Sequence, residues 1–178
     1  MRTPSRMMPA YEASEMSLFW KVFTYLFVGL MFVMLLKQVW KMPILAFFIL
    51  AVAFIIWIEN WFFDLSLNLK SLEREGEDIG TFARSFDYRN IDTWVIRAVY
   101  EAVSQFLSYK DGKCPVRASD RLLEDIGLDS EELDDIIDEV IYRTGIVDQD
   151  WDKNPYYDKL ETVRDLVLFF DAQPRRVL

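Results

Sequence analysis

The hydrophobic and polar positions divide the chain into an apolar first part and a second part with helical periodicity. Residues 18–36 are apolar except for Lys21 and Thr24, and residues 43–58 carry no charge. With flanking aromatics, each run reaches about 20 residues, the length that an α-helix needs to cross the hydrocarbon core of a bilayer. We predict two transmembrane helices that the short segment 37–42 joins into an antiparallel hairpin.

Basic residues around this hairpin predict its orientation. Four lie on the outer flanks and two lie in the connecting segment: Arg2, Arg6, Lys70 and Arg74 outside, Lys37 and Lys41 between the spans. Because basic flanks stay on the cytoplasmic side, we expect both termini in the cytoplasm. The sequence therefore predicts a multi-pass protein with two spans in a bacterial inner membrane, in contact with the lipid bilayer.

The second part contains three stripes of apolar residues at helical spacing. They lie in residues 91–106, 133–141 and 163–170, and Thr162 is a candidate N-cap for the last. Between the first two stripes we expect four apolar side chains of a long loop to insert into the core: Leu122, Leu123, Ile126 and Leu128. The predicted fold class is all-α, a two-helix transmembrane hairpin followed by a small helical bundle.

Charge separates the two parts further. Residues 1–76 hold 7 Lys/Arg and 6 Asp/Glu, whereas residues 77–178 hold 13 and 23. A strongly acidic domain repels phosphate backbones, so we expect no nucleic-acid partner and favour proteins with basic surfaces.

The chain lacks the residues on which most catalytic and metal sites depend. It has no histidine, and Cys114 is its only cysteine. The chain therefore lacks histidine, the commonest general base, and it has neither a CxxC motif nor the second cysteine that an internal disulfide needs. We predict a carrier or accessory subunit rather than an enzyme, and no metal site.

Residues 120–146 carry the most specific signal. Asp129 and Ser130 stand at the start of the second apolar stripe, and acidic residues cover the rest of that helix: Glu131, Glu132, Asp134, Asp135, Asp138 and Glu139. A structural interpretation is also available, because Asp129 followed by Glu132 is an ordinary capping box and an acidic face is usually a solvated one.

The order of elements and two short motifs resemble an acyl carrier protein over residues 91–171. The motifs are LEDIGLDS, which ends at Ser130, and TVRDLV, which starts at Thr162. The resemblance implies that Ser130, beside Asp129, carries a 4'-phosphopantetheine arm installed by a phosphopantetheinyl transferase. It also implies that the acidic residues after Ser130 dock on basic patches of partner enzymes. The family normally has leucine directly after the serine, where this chain has Glu131.

Two functions remain open from the sequence. One is a membrane-tethered carrier that presents an acyl or related thioester to a membrane-associated acyltransferase, glycosyltransferase or synthase. The other is an unmodified adaptor with the carrier fold that assembles or regulates a membrane enzyme complex. In both, the predicted domain organisation is an N-terminal tail (1–16), a hairpin (17–66), a juxtamembrane linker (67–90), the carrier-like domain (91–171) and a C-terminal tail (172–178).

Overall fold

The regular structure of the chain is helical, as the sequence predicts. The computed structural model describes residues 4–9, 11, 17–41, 43–87, 89–109, 114–147 and 151–174, with the backbone alone at 36, 39, 40, 43, 45, 46 and 109. Within these residues there is no β-strand. The helices are α1 (Leu18–Lys41), α2 (Pro43–Glu73), α3 (Ile79–Arg84), α4 (Thr93–Tyr109), α5 (Ser130–Thr144) and α6 (Val163–Asp171).

Shorter helical turns lie between these helices. They cover Ser5–Met7, Leu122–Ile126, Trp151–Lys153 and Tyr157–Lys159. The described residues form two compact units. We call residues 17–65 the apolar unit. We call the segment up to Tyr11, together with the chain from Ser66 onward, the helical domain.

Helices α1 and α2 are both long and apolar enough to cross a membrane. Helix α1 has 24 residues, so it is about 36 Å long, and the hydrocarbon core of a bilayer is about 30 Å thick. Its large apolar side chains between Leu18 and Leu35 are 47–78% exposed. The segment 37–41, expected as a connection, continues α1, and residue 42 lies outside the described residues.

The core of the helical domain forms where the three predicted apolar stripes meet. Helix α4 packs against both α5 and α6. The residues with no exposed surface come from all three helices: Val95, Val99 and Val103, Val140, and Val163, Leu166 and Phe170. Because β-branched and aromatic side chains at helical spacing fill these positions, each helix turns one apolar face to the core, and both α5 and α6 pack on α4.

Local capping explains where α6 begins and where α5 ends. Thr162 caps α6 and exchanges hydrogen bonds with Asp165 in a capping box, as the sequence predicts. Gly145 ends α5 with a φ of 70°, a left-handed conformation that glycine adopts without a steric penalty.

The domain boundaries differ from the prediction. Residues 67–90 do not form a separate linker, because Leu67, Phe82 and Phe86 are buried in the helical domain. The ring of Phe82 lies 5.1 Å from that of Tyr100 on α4. Aromatic residues in this polar segment thus supply core contacts, which moves the start of the domain from residue 91 to Ser66.

Part of the predicted N-terminal tail also belongs to the helical domain. The turn Ser5–Met7 contacts α4, and the ring of Tyr11 meets that of Tyr142 on α5 edge to face at 5.6 Å. At the other end, the Val147 N–H donates a hydrogen bond to the Pro174 carbonyl. Residues 175–178 of the predicted C-terminal tail lie outside the described residues.

Candidate functional site

Ser130 is the first residue of α5 and is exposed. The turn Leu122–Ile126 and the left-handed Gly127, with a φ of 74°, direct the chain into this helix start. The Leu128 N–H then donates to the Leu122 carbonyl at 2.9 Å, which closes the loop two residues before Ser130. The sequence thus builds a fixed approach to an accessible hydroxyl.

Asp129, rather than Ser130, is the N-cap of α5. Its Oδ1 accepts hydrogen bonds from the backbone N–H groups of Glu131 and Glu132, both at 2.9 Å. The Glu132 carboxylate accepts the Asp129 N–H at 3.1 Å, which completes the capping box. These two amides are therefore engaged, and a phosphodiester on Ser130 would be stabilised mainly by the dipole of α5.

A cavity of about 430 Å³ opens beside Ser130. Its apolar lining comes from the loop, from α5 and from the segment just before α6: Leu122, Leu123, Leu128, Leu133 and Leu160. Leu123 was expected in the core, but it is exposed and faces this cavity. The other three predicted residues, Leu122, Ile126 and Leu128, are buried as expected. Leu122 and Ile126 point inward together because the turn is of the π type, in which the Ile126 N–H donates to the Arg121 carbonyl five residues earlier.

A second cavity of about 710 Å³ continues along α5. It shares Leu133 and Leu160 with the first cavity, so the two form one groove that starts at Ser130. The additional lining is partly aromatic and partly acidic: Ile137, Trp151 and Tyr157, with Asp134, Asp138 and Asp158. The ring of Trp151 is held by Phe169, whose centroid lies 5.0 Å away. This groove offers apolar walls and an acidic rim beside the candidate attachment site.

Most of the acidic residues of α5 are exposed as predicted. Glu131, Asp134, Asp135 and Asp138 are exposed, and Glu132 is half-buried within the capping box. These side chains, together with the exposed Asp129, are the acidic face of α5. Asp135 and Asp138 also border a third cavity of about 390 Å³ between α4 and α5, which Tyr11 lines from the N-terminal segment.

Glu139 does not belong to this exposed face. Its side chain is buried and pairs with Arg143 at 3.1 Å, and Arg143 also binds Glu101 on α4. Burial raises the pKa of Glu139, and the neighbouring Arg143 offsets only part of that effect. The predicted partner-binding role of Glu139 is therefore corrected to a contact between α4 and α5.

The described residues contain no group of three or more histidine, cysteine, aspartate or glutamate side chains arranged to hold a metal ion. Cys114 is buried, and burial raises the pKa of its thiol. A buried thiol of raised pKa holds little thiolate and is a poor nucleophile.

Sequence reasoning did not identify Trp151, Tyr157 and Leu160 as residues of the site. They lie in the connection between α5 and α6. A cluster of aromatic residues in an otherwise polar connection is the signal that could have indicated them.

No protein-family model, curated protein or solved structure matches this chain. The likeness to acyl carrier proteins therefore depends on the motifs and on the order of the helices.

Proposed function

We propose that this protein is a membrane-tethered carrier in which Ser130 bears a 4'-phosphopantetheine arm. The arm would hold an acyl or related group as a thioester and present it to a membrane-associated acyltransferase, glycosyltransferase or synthase. The observation that carries the proposal is an exposed serine at the start of an acidic helix, beside an apolar groove.

The groove and the acidic face suit two different steps of such a cycle. The leucine-lined groove beside Ser130 would shelter an apolar chain from water between reactions. The exposed carboxylates of α5 would attract basic patches on successive enzymes, including the phosphopantetheinyl transferase. Such steering gives fast, salt-sensitive encounters that release quickly, as a carrier requires.

The helical domain also supports a two-span topology. The segment up to Tyr11 and the chain from Ser66 onward belong to one compact unit. Parts of one folded unit must lie on the same side of a bilayer. The chain between them, which contains α1 and most of α2, would therefore cross the bilayer an even number of times. This agrees with two spans, and the basic flanks of the hairpin are the argument for placing that side in the cytoplasm of a bacterial inner membrane.

A matched pair of serine variants tests the proposal. The full chain in lipid nanodiscs would be incubated with a phosphopantetheinyl transferase and fluorescent coenzyme A. Labelling is expected for the wild-type chain and for Ser119→Ala, because Ser119 is also an exposed serine of the helical domain. Loss of label in Ser130→Ala alone supports the carrier, whereas equal labelling of all three, or of none, contradicts it.

The second candidate function is the unmodified adaptor, which the capping box favours. The Asp129 carboxylate already accepts the Glu131 and Glu132 amides of α5, and Glu131 places a charge directly after the serine. In that function the acidic face docks a membrane complex and no arm is present. Ser130→Ala would then preserve both assembly and activity of the complex, whereas the carrier predicts intact assembly with loss of activity.

A further inference from the structure

The last turn of α2 and the residues just after it carry ionic contacts to the loop that leads to Ser130. Lys70 binds Asp125 at 2.6 Å, and Arg74 binds both carboxylate oxygens of Asp120 at 2.7 Å. Beyond the helix, Glu77 binds Arg117 at 2.6 Å. All these residues belong to the helical domain, and each pair joins positions at least 40 residues apart.

Arg74 makes the most buried of these contacts. The side chains of Arg74 and Asp120 are only 8% and 5% exposed. Arg74 also donates to the Pro115 carbonyl at 2.8 Å, so one guanidinium joins two points of the loop. A bidentate, buried pair of this kind fixes the relative orientation of its partners, because the planar fork permits one geometry.

Asp120 transmits this anchoring toward Ser130. Its carboxylate accepts the Arg117 N–H at 2.8 Å and its carbonyl accepts the Val163 N–H at 3.0 Å. Two residues later, the Leu122 N–H donates to the Glu161 carbonyl. The Leu122 carbonyl in turn holds Leu128, so a continuous series of contacts runs from Arg74 to the residue before Asp129.

We propose that the end of α2 and the residues just after it clamp the loop 114–128, and that Arg74 is the positioning residue that holds Ser130 and its groove in place. The clamp consists of Lys70, Arg74 and Glu77 and their partners in the loop, together with Glu73, which binds Arg117 at 3.0 Å. It does not depend on the proposed function. Its consequence for arm transfer does rest on that function.

Hydrogen exchange on the full chain in nanodiscs tests the clamp. In Arg74→Met, protection of the amides of Leu122, Gly127 and Leu128 should fall by about tenfold or more, while Val99 and Phe169 keep theirs. Arg97→Met is the matched control, because it removes an ion pair within α4 and should leave these three amides unchanged. Arg74→Lys should restore part of the protection.

A second variant keeps the test decisive if Arg74→Met unfolds the domain. Lys70→Met removes a half-exposed pair and should lower protection at Gly127 and Leu128 alone. Wild-type protection of the loop in either a folded Arg74→Met or in Lys70→Met would overturn the clamp. Arm transfer to Ser130 should slow with the loss of protection. If the arm is not transferred to Ser130 in the wild-type chain, the carrier function is contradicted. The hydrogen-exchange result then still decides whether the clamp exists.

Discussion

The apolar unit and the helical domain use similar residues in opposite ways. In α1 the large apolar side chains are exposed, whereas in α4 and α6 residues of the same type have no exposed surface. Apolar surface that the chain does not cover itself needs an apolar solvent, which a bilayer supplies. The difference teaches that the helical domain covers its own apolar surface, whereas the apolar helices leave theirs for an apolar environment, such as a bilayer, to cover.

The largest expected difference comes from removing one aromatic ring in each region. Phe170→Ala should lower the free energy of unfolding of the helical domain by about 3–5 kcal/mol, because it opens a cavity in the core. Phe23→Ala in α1 should leave that free energy unchanged, since the Phe23 ring is exposed. Denaturant unfolding followed by a probe in the helical domain measures both. Equal losses would remove the distinction between the two regions.

A matched pair of leucines sharpens the comparison. Leu50 in α2 is 68% exposed and Leu123 beside Ser130 is 69% exposed. Leu50→Lys should disfavour membrane insertion by about 2.5–3.5 kcal/mol, the cost of a central lysine in a span. Leu123→Lys should not change membrane partition and should alter stability by less than about 0.5 kcal/mol. In alkaline extraction of membranes, more of Leu50→Lys than of Leu123→Lys should be released into the soluble fraction. If neither variant is released, the result contradicts a spanning α2.

Substitutions at the start of α5 separate a cap from an attachment site. Asp129→Ala should lower stability by about 1 kcal/mol, because two backbone amides lose their acceptor. Ser130→Ala should be close to neutral, since alanine is favourable inside a helix and Ser130 is not the cap. Thermal unfolding of both variants gives the comparison. A larger loss for Ser130→Ala would assign that serine a structural role.

The smallest expected effect is on how the stability of the helical domain depends on pH in the acid range. Burial alone would raise the pKa of Asp125, but hydrogen bonds from Lys70 and from the Arg121 N–H lower it below its ordinary value of 3.8. The ionised Asp125 carboxylate thus contributes stability to the fold at pH values above 3.8. This contribution is lost as the pH falls through the lower pKa that Asp125 has in the folded state. Glu139 has the opposite pH dependence, because burial raises its pKa. Its protonated carboxyl contributes stability at pH values below 4.5, and this contribution is lost as the pH rises through the raised pKa of the folded state.

Asp125→Asn should therefore flatten the loss of stability on the acid side. Urea unfolding at several pH values between neutrality and strong acid measures this change against the wild type. Glu124→Gln is the control, because Glu124 and its partner Arg121 are exposed and such pairs contribute little. An unchanged acid dependence in Asp125→Asn would show that the Lys70 contact does not stabilise the fold.

The helices were predictable where the pattern is local. The spacing of residues 133–141, with Asp129 before them and Gly145 after, contains both the period of α5 and its two ends. The apolar lengths of α1 and α2 are equally local, since a span is recognised by its own composition. The exposure of Ser130 follows from the same local information.

The domain boundary was not predictable in this way. Arg74 and Asp120 are 46 residues apart, and neither position carries a pattern that indicates the other. Glu139 follows the same rule. Its partner Arg143 lies one turn away on α5, but the packing of α4, which brings Glu101 to Arg143, decides that this carboxylate is buried rather than exposed. The groove is missed for a similar reason, since Trp151 and Tyr157 approach α5 through tertiary packing.

The mass of the protein purified from its own host tests the central claim most directly. The carrier predicts an increase equal to one phosphopantetheine, located by fragmentation on the peptide that contains Ser130. Ser119→Ala expressed in that host should show the same increase, and Ser130→Ala should not. A protein whose Ser130 remains unmodified throughout growth would contradict the carrier.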